Sequence, residues 1–275
     1  MKSTSIYLAM TLLAGVTALP SPAEAQPADA QLLSTFCAPS NIRGSACKRA
    51  KAYPNRKACD VSLGKDRYSG KFVAGKTLLI VDYGSKCEAH VNDFGGSVLF
   101  EQTGSITAFR GYQPGYLAHD CVVLSGTDKD RLICLTGHMG QGELESGVAE
   151  MVFTQDFSKG IKLSFDFFVT ADDTTNASGA NTVDCKEQET YFGLSKLAVG
   201  PQRDTVLVNV AYADAETIKT ACTGGFPRPK EVFGELADGE AYVPGGHEKN
   251  GRFVVDLATR KMVPEAEFGK APASR

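Results

Sequence analysis

The chain has 275 residues, 43% hydrophobic and 22% charged, with a formal net charge of −3. That apolar fraction can build a sizeable core and excludes wholesale disorder. The near balance of charge excludes a polyanion-binding surface, which needs clustered excess Lys and Arg, so nucleic acid is not an expected partner.

The N-terminus carries an export signal. Lys2 supplies a positive charge, residues 6–19 are apolar, Pro20 and Pro22 break the run, and Ala23-Glu24-Ala25 forms a small-x-small cleavage pattern. Residues 1–25 are therefore expected to be a signal peptide. The apolar run is shorter than the roughly 20 residues a membrane helix needs, and no later run is long enough. A secreted or periplasmic protein follows, with an exported or cell-envelope partner and no membrane span in the mature chain.

Export governs how the eight cysteines read. An even number in an oxidising compartment implies up to four disulfides. Residues 26–62 form a Cys-rich first segment. It opens on a short helical stretch near 28–36 and continues into the basic "CKRAKAYPNRKAC", a solvated face around a small loop. Joining Cys47 to Cys59 across that loop is expected to contribute about 3 kcal/mol. Cys37 is then left for Cys87.

Residues 63–275 are expected to form a single all-β domain, mainly antiparallel. Candidate strands are 76–84, 97–104, 120–126, 131–137, 149–157, 161–172, 205–213 and 251–264. Each is rich in Val, Ile, Leu or Phe and bounded by turn residues. In 161–172, Leu163, Phe165 and Phe167 recur with period two, the mark of a half-buried strand. One later helix is expected over 214–222, capped by Asp214. Its C-terminal Cys222 is matched with Cys185. A shift of 53 residues superposes "LLIVDYG" on "RLICLTG" and "SVLFEQ" on "EMVFTQ". Such an echo suits a small or irregular propeller-like arrangement, with a two-sheet sandwich as the other choice.

Residues 119–138, "HDCVVLSGTDKDRLICLTGH", hold the densest chemistry. Folding at 125–130 sets Val123 opposite Leu132 and Cys121 opposite Cys134, close enough for a disulfide. The same register sets His119 opposite Thr136 and His138 opposite Leu117, all on one face. Three readings stand: a Cys121–Cys134 staple, these cysteines bonded elsewhere, or a Cys2His2 zinc site. Oxidation on export favours the staple over metal. His119, Asp120 and His138 are also the candidate catalytic residues of a secreted hydrolase. No G-x-S-x-G, H-E-x-x-H, P-loop or C-x-x-C accompanies them.

The acidic loop 172–181 offers Asp172, Asp173 and Asn176 as hard oxygen donors for calcium. An EF-hand fails there, because Ala177 and Val183 occupy the positions that need Gly and Glu. "NAS" at 176–178 is a glycosylation sequon. No cofactor is expected beyond these possibilities of Ca2+ or Zn2+. The leading expectation is a non-catalytic binding protein that uses loops on a rigid β scaffold. The hydrolase is the alternative.

Overall fold

The computed structural model describes residues 28–50, 53, 59–85, 87, 95–140, 143–156, 160–173, 180–227 and 236–270. The expected signal peptide lies outside these residues, as do Asn176 and the sequon. The structure is mostly antiparallel β in four open sheets with no closed barrel.

A short helix, α1 (Asp29–Ser34), leads into the first sheet. That sheet runs in chain order through β1 (Ile42–Arg43), β2 (Ala46–Ala50), β3 (Cys59–Val73), β4 (Lys76–Ser85), β5 (Gly95–Thr103) and β6 (Ile106–Pro114). The second sheet holds β7 (Cys121–Leu124), β8 (Arg131–Gly140), β9 (Glu143–Asp156) and β10 (Gly160–Asp173), again as consecutive neighbours. A ribbon pairs β11 (Ala180–Asp184) with β14 (Glu240–Pro244). The last sheet orders β12 (Thr190–Val199), β13 (Thr205–Ala213), β15 (Lys249–Asp256) and β16 (Lys261–Pro264). Between β13 and β14 lies the helix α2 (Ala215–Cys222).

The sheets stack face to face, and burial alternates accordingly. On β4, Leu79, Val81 and Tyr83 pack with Leu32 and Leu33 of α1, while Leu78 and Ile80 face the second sheet. On β8, Leu132 and Cys134 meet the first sheet, and Ile133 packs with Val206, Val208 and Phe253 of the last. Strands buried on both faces need apolar residues at every position. This is why "LLIV" and "LICL" read as unbroken apolar runs. The stack fits the sandwich expectation, extended beyond two sheets. The 53-residue echo places β4 on β8 and β5 on β9, the successive inner strands of two consecutive meanders.

Most expected strands match observed ones, with one correction. Residues 251–264 are not a single strand but the hairpin β15–β16. The Asp256 carboxylate accepts the amides of Ala258 and Thr259, which folds the chain back, and Arg260 takes a left-handed φ of 56° in the turn. Such Asx turns compete locally with an extended backbone. β1, β2, β3, β6, β11, β12 and β14 have no counterpart among the expected strands.

The helix at 214–222 forms with Asp214 as its cap, accepting the Thr217 amide at 3.0 Å. Partial burial works against this carboxylate's charge. The Lys249 ammonium and the Thr217 donors outweigh it and hold the pKa at about 2.

All eight cysteines are paired. Cys121–Cys134 and Cys185–Cys222 are as expected. The other two pairings are corrected to Cys37–Cys47 and Cys59–Cys87. Register explains the exchange. Cys47 lies opposite Val61, not Cys59. Val61 in turn pairs with Ser85 of β4, and two more residues of that antiparallel register set Cys87 against Cys59. The turn after α1 then leaves Cys37 for Cys47.

Candidate functional site

The β7–β8 hairpin forms in the expected register, Cys121 opposite Cys134 and Val123 opposite Leu132. Its Cα atoms at the two cysteines are 4.0 Å apart, so the disulfide staples a directly opposed pair. With both sulfurs bonded to each other, neither offers a thiolate to zinc.

The histidines do not extend this register. β7 begins at Cys121, and Asp120 before it takes a left-handed φ of 44°. This reverses the side-chain alternation and turns His119 away from Thr136 toward the first sheet. There His119 Nδ1 lies 2.7 Å from Asp66 Oδ2 on β3, and Nε2 lies 3.3 Å from Asp120 Oδ2. His138 pairs with Glu145 of β9 rather than facing Leu117. It lies four residues beyond Cys134, about 13 Å along the strand. The side chain of His138 lies outside the described residues, as do those of Asp172 and Asp173. The backbone register sets Asp172 opposite Glu145 from the other side.

Sequence reasoning did not point to Asp66, which lies 53 positions from His119. Around this pair the Asp66 amide donates to Asp82 Oδ1 at 3.0 Å, and the Cys121 amide donates to the Tyr68 hydroxyl at 2.9 Å. A side chain at Gly64 would overlap the Asp82 carboxylate. Burial raises the Asp82 pKa, and the Asp66 charge adds to this. Burial likewise raises Tyr68. The cluster can hold and exchange protons. Both nitrogens of His119 face carboxylates, and among the described residues no Ser, Thr or Cys side chain hydrogen-bonds to its ring; Cys121 Sγ meets only its backbone carbonyl, at 3.5 Å. Nor, among the described residues, do three His, Cys, Asp or Glu side chains converge to hold a metal ion.

Asp82 offers a direct test of these electrostatics. Asp82→Asn keeps an acceptor for the Asp66 amide and removes a half-buried charge. A carboxyl with a raised folded pKa costs stability when ionised. That cost is absent below its ordinary value, grows as pH rises from there to the raised folded value, and is constant above it. The variant is therefore expected to be more stable than the parent at pH 7, by an amount that partial exposure keeps small, and equal to it near pH 3. Urea midpoints at the two pH values check this. An equal difference at both would rule it out.

A second site opens where the inner face of the second sheet runs out from under the first. Cross-strand rows describe it from the core outward. The row Leu132–Met151–Phe165 is core, and the next is Cys134–Ala149–Phe167. Gly147, opposite Thr136, follows. The central strand thus tapers from Met to Ala to Gly, while β10 keeps its phenylalanines. The result is a pocket of about 210 Å3 with Gly137 and Gly147 in its floor and Phe165 and Phe167 as walls. Gly115, Thr136, Glu145 and Ser146 complete it.

Phe167 is 47% exposed, an unusual place for a ring. A β-bulge between Phe167 and Val169 directs it outward and sends Phe168 into the core. Bulges of this kind re-aim side chains beside functional sites. Arg260 fixes this one: it donates to the Phe167 carbonyl at 2.6 Å, grips both Asp166 oxygens at 2.8 and 3.0 Å, and lies 5.2 Å over the Phe168 ring. Phe165 packs 5.9 Å from Phe167 and 5.1 Å from Tyr116 between ring centres. Leu117, beside Tyr116, is also exposed.

A larger cleft of about 450 Å3 separates the β7–β8 turn from the turn at 199–204. Its main cation, Arg131, is already held by Glu150 at 2.8 Å and Asp204 at 3.1 Å. Most of its other walls are exposed turn residues. It offers less fixed recognition chemistry than the aromatic pocket.

Comparison with family models, curated proteins and solved structures found no match to this chain.

Proposed function

We propose that this chain is an exported, disulfide-stapled binding protein whose recognition site is the aromatic pocket of β8, β9 and β10. The observation that carries this reading is Phe167, whose ring is exposed beside a glycine floor and whose backbone is fixed by a bulge and an arginine clamp. Pre-organised aromatic anchors at concave sites supply much of the affinity in recognition. Export is supported by the leader-like N-terminus and by four disulfides. No helix among the described residues is long and apolar enough to cross a membrane. The natural ligand or partner is then an exported or cell-envelope one, and nucleic acid is not.

The pocket is tested by amide chemical-shift mapping of the mature protein with a library of small aromatic, aliphatic and charged fragments. Saturable shifts are expected at 136–137, 145–147 and 165–167, and Phe167→Ala should weaken them at least tenfold at unchanged melting temperature. Hits that map elsewhere and ignore Phe167→Ala would overturn the assignment.

The alternative is a hydrolase, and the 2.7 Å His119–Asp66 contact is what favours it. Such a pair could orient a general base. It lacks a hydroxyl or thiol nucleophile within hydrogen-bond reach among the described residues. Turnover of ester, glycoside or peptide substrates that disappears in His119→Ala would favour this reading over the first.

A further inference from the structure

We propose that the ligand group taken by the aromatic pocket is a methylated organic ammonium, an inference that rests on the pocket being the binding site. Thr136 Oγ1 donates to the Gly147 carbonyl at 3.4 Å. Ser146 Oγ donates to the Ala171 carbonyl at 3.5 Å and accepts the Leu194 amide at 3.0 Å. Both hydroxyls are thus engaged in holding the sheet. The backbone of 145–147 is paired with β8 on one side and β10 on the other.

Glu145 is the one charged side chain that the described residues contribute to the lining. It has no hydrogen bond or ion pair among the described residues. Among the described residues the pocket therefore presents an unpaired carboxylate, two phenylalanine rings and a glycine floor. A carboxylate attracts positive charge, and ring faces attract cations through their quadrupole. An anion would meet the Glu145 charge instead of a complementary partner.

The same inventory selects among cations. A primary ammonium carries three donors and needs three acceptors when it leaves water. The rings and the glycine floor accept none of them, so a bare ammonium seated against the rings depends on Glu145 and water for all three. A trimethylated ammonium has no donors to satisfy and offers methyl groups to the rings. Size agrees: drug-sized ligands need about 300–1,000 Å3, whereas about 210 Å3 suits a head group. The rigid Phe167 bulge means that the rings need not be ordered on binding, which spares entropy.

The experiment is titration of the full mature protein, followed by calorimetry and amide shifts. Probes are choline, its uncharged isostere 3,3-dimethylbutan-1-ol, ammonium chloride, and peptides bearing lysine or trimethyl-lysine. Choline is expected to bind at least tenfold more tightly than the isostere and than ammonium. Glu145→Gln should erase that preference, about tenfold in affinity, with the melting temperature unchanged. Phe167→Leu should weaken choline more than the isostere, because it keeps apolar bulk but loses the ring face. Trimethyl-lysine peptide binding more tightly than choline assigns the ammonium to a protein partner, and the reverse assigns it to a free small molecule. If the isostere binds as tightly as choline, the cation assignment falls while the pocket reading stands. If neither binds at the pocket residues and the fragment library also fails there, both fall.

Discussion

Phe253→Ala is expected to cost about 3–5 kcal/mol. Phe253 is 1% exposed on β15, in the core that joins the second and last sheets. Its ring meets Tyr212 at 5.2 Å and Tyr191 at 5.8 Å, both edge-on. Truncation removes the transfer energy of the ring and leaves a void that sheets on either side cannot easily collapse into. A domain of this kind has only about 5–15 kcal/mol to lose. Urea unfolding should show a fall in midpoint with an unchanged slope. Ile106→Ala, at a residue 68% exposed on the far edge of the first sheet, serves as control and should move stability by about 0.5 kcal/mol or less. Equal losses in the two variants would contradict the packing scheme.

The second large effect concerns Cys185–Cys222, which spans 37 residues, the longest loop of the four. Closing a loop of that size restricts the unfolded chain by about 4 kcal/mol. Cys185 is exposed and Cys222 half-buried, so little packing goes with the sulfurs. The double change Cys185→Ala and Cys222→Ala is therefore expected to cost about 3–4 kcal/mol, mostly through the unfolded state. The loss should be felt first around α2, β11 and β14, whose small core contains Val183, Phe192, Ile218 and Val243. Hydrogen exchange of α2 compared with β8 checks this. Uniform loss of protection across both would show that the ribbon and helix unfold only with the whole.

The parts of the fold legible in the sequence are those fixed by near neighbours. The turn at 125–130 sets the Cys121–Cys134 register because a hairpin leaves few alternatives. Asp214 announces α2 because capping is local. β12 escaped notice because "TYFGLSKLAV" carries two bulges, near Gly193 and Lys196, that break its alternation. β6 escaped because Gly111 and Pro114 read as a turn. The Cys37, Cys47, Cys59 and Cys87 pairings depend on how β2 and β4 flank β3, which no spacing reveals. At the sites, the limit is distance along the chain. Asp66 reaches His119 from another sheet, and Glu145 lies in "GQGELESGV", which reads as a glycine-rich loop but belongs to β9. The period-two run Leu163, Phe165, Phe167 was legible as a strand. That its last member leaves the core was not, because the bulge depends on Arg260 from β15–β16.

The doubly covered second sheet has a consequence for how the molecule holds together. Its strands touch the first sheet on one side and the last on the other, so the layers form a one-dimensional array of nearest neighbours. A chain cut after β10 would leave Ile133, Val148 and Phe168 facing water. That is a broad apolar surface of the kind that drives self-association. During synthesis the middle layer is thus covered only once both of its neighbours have arrived, and completion of the C-terminal sheet is the step that hides its apolar face.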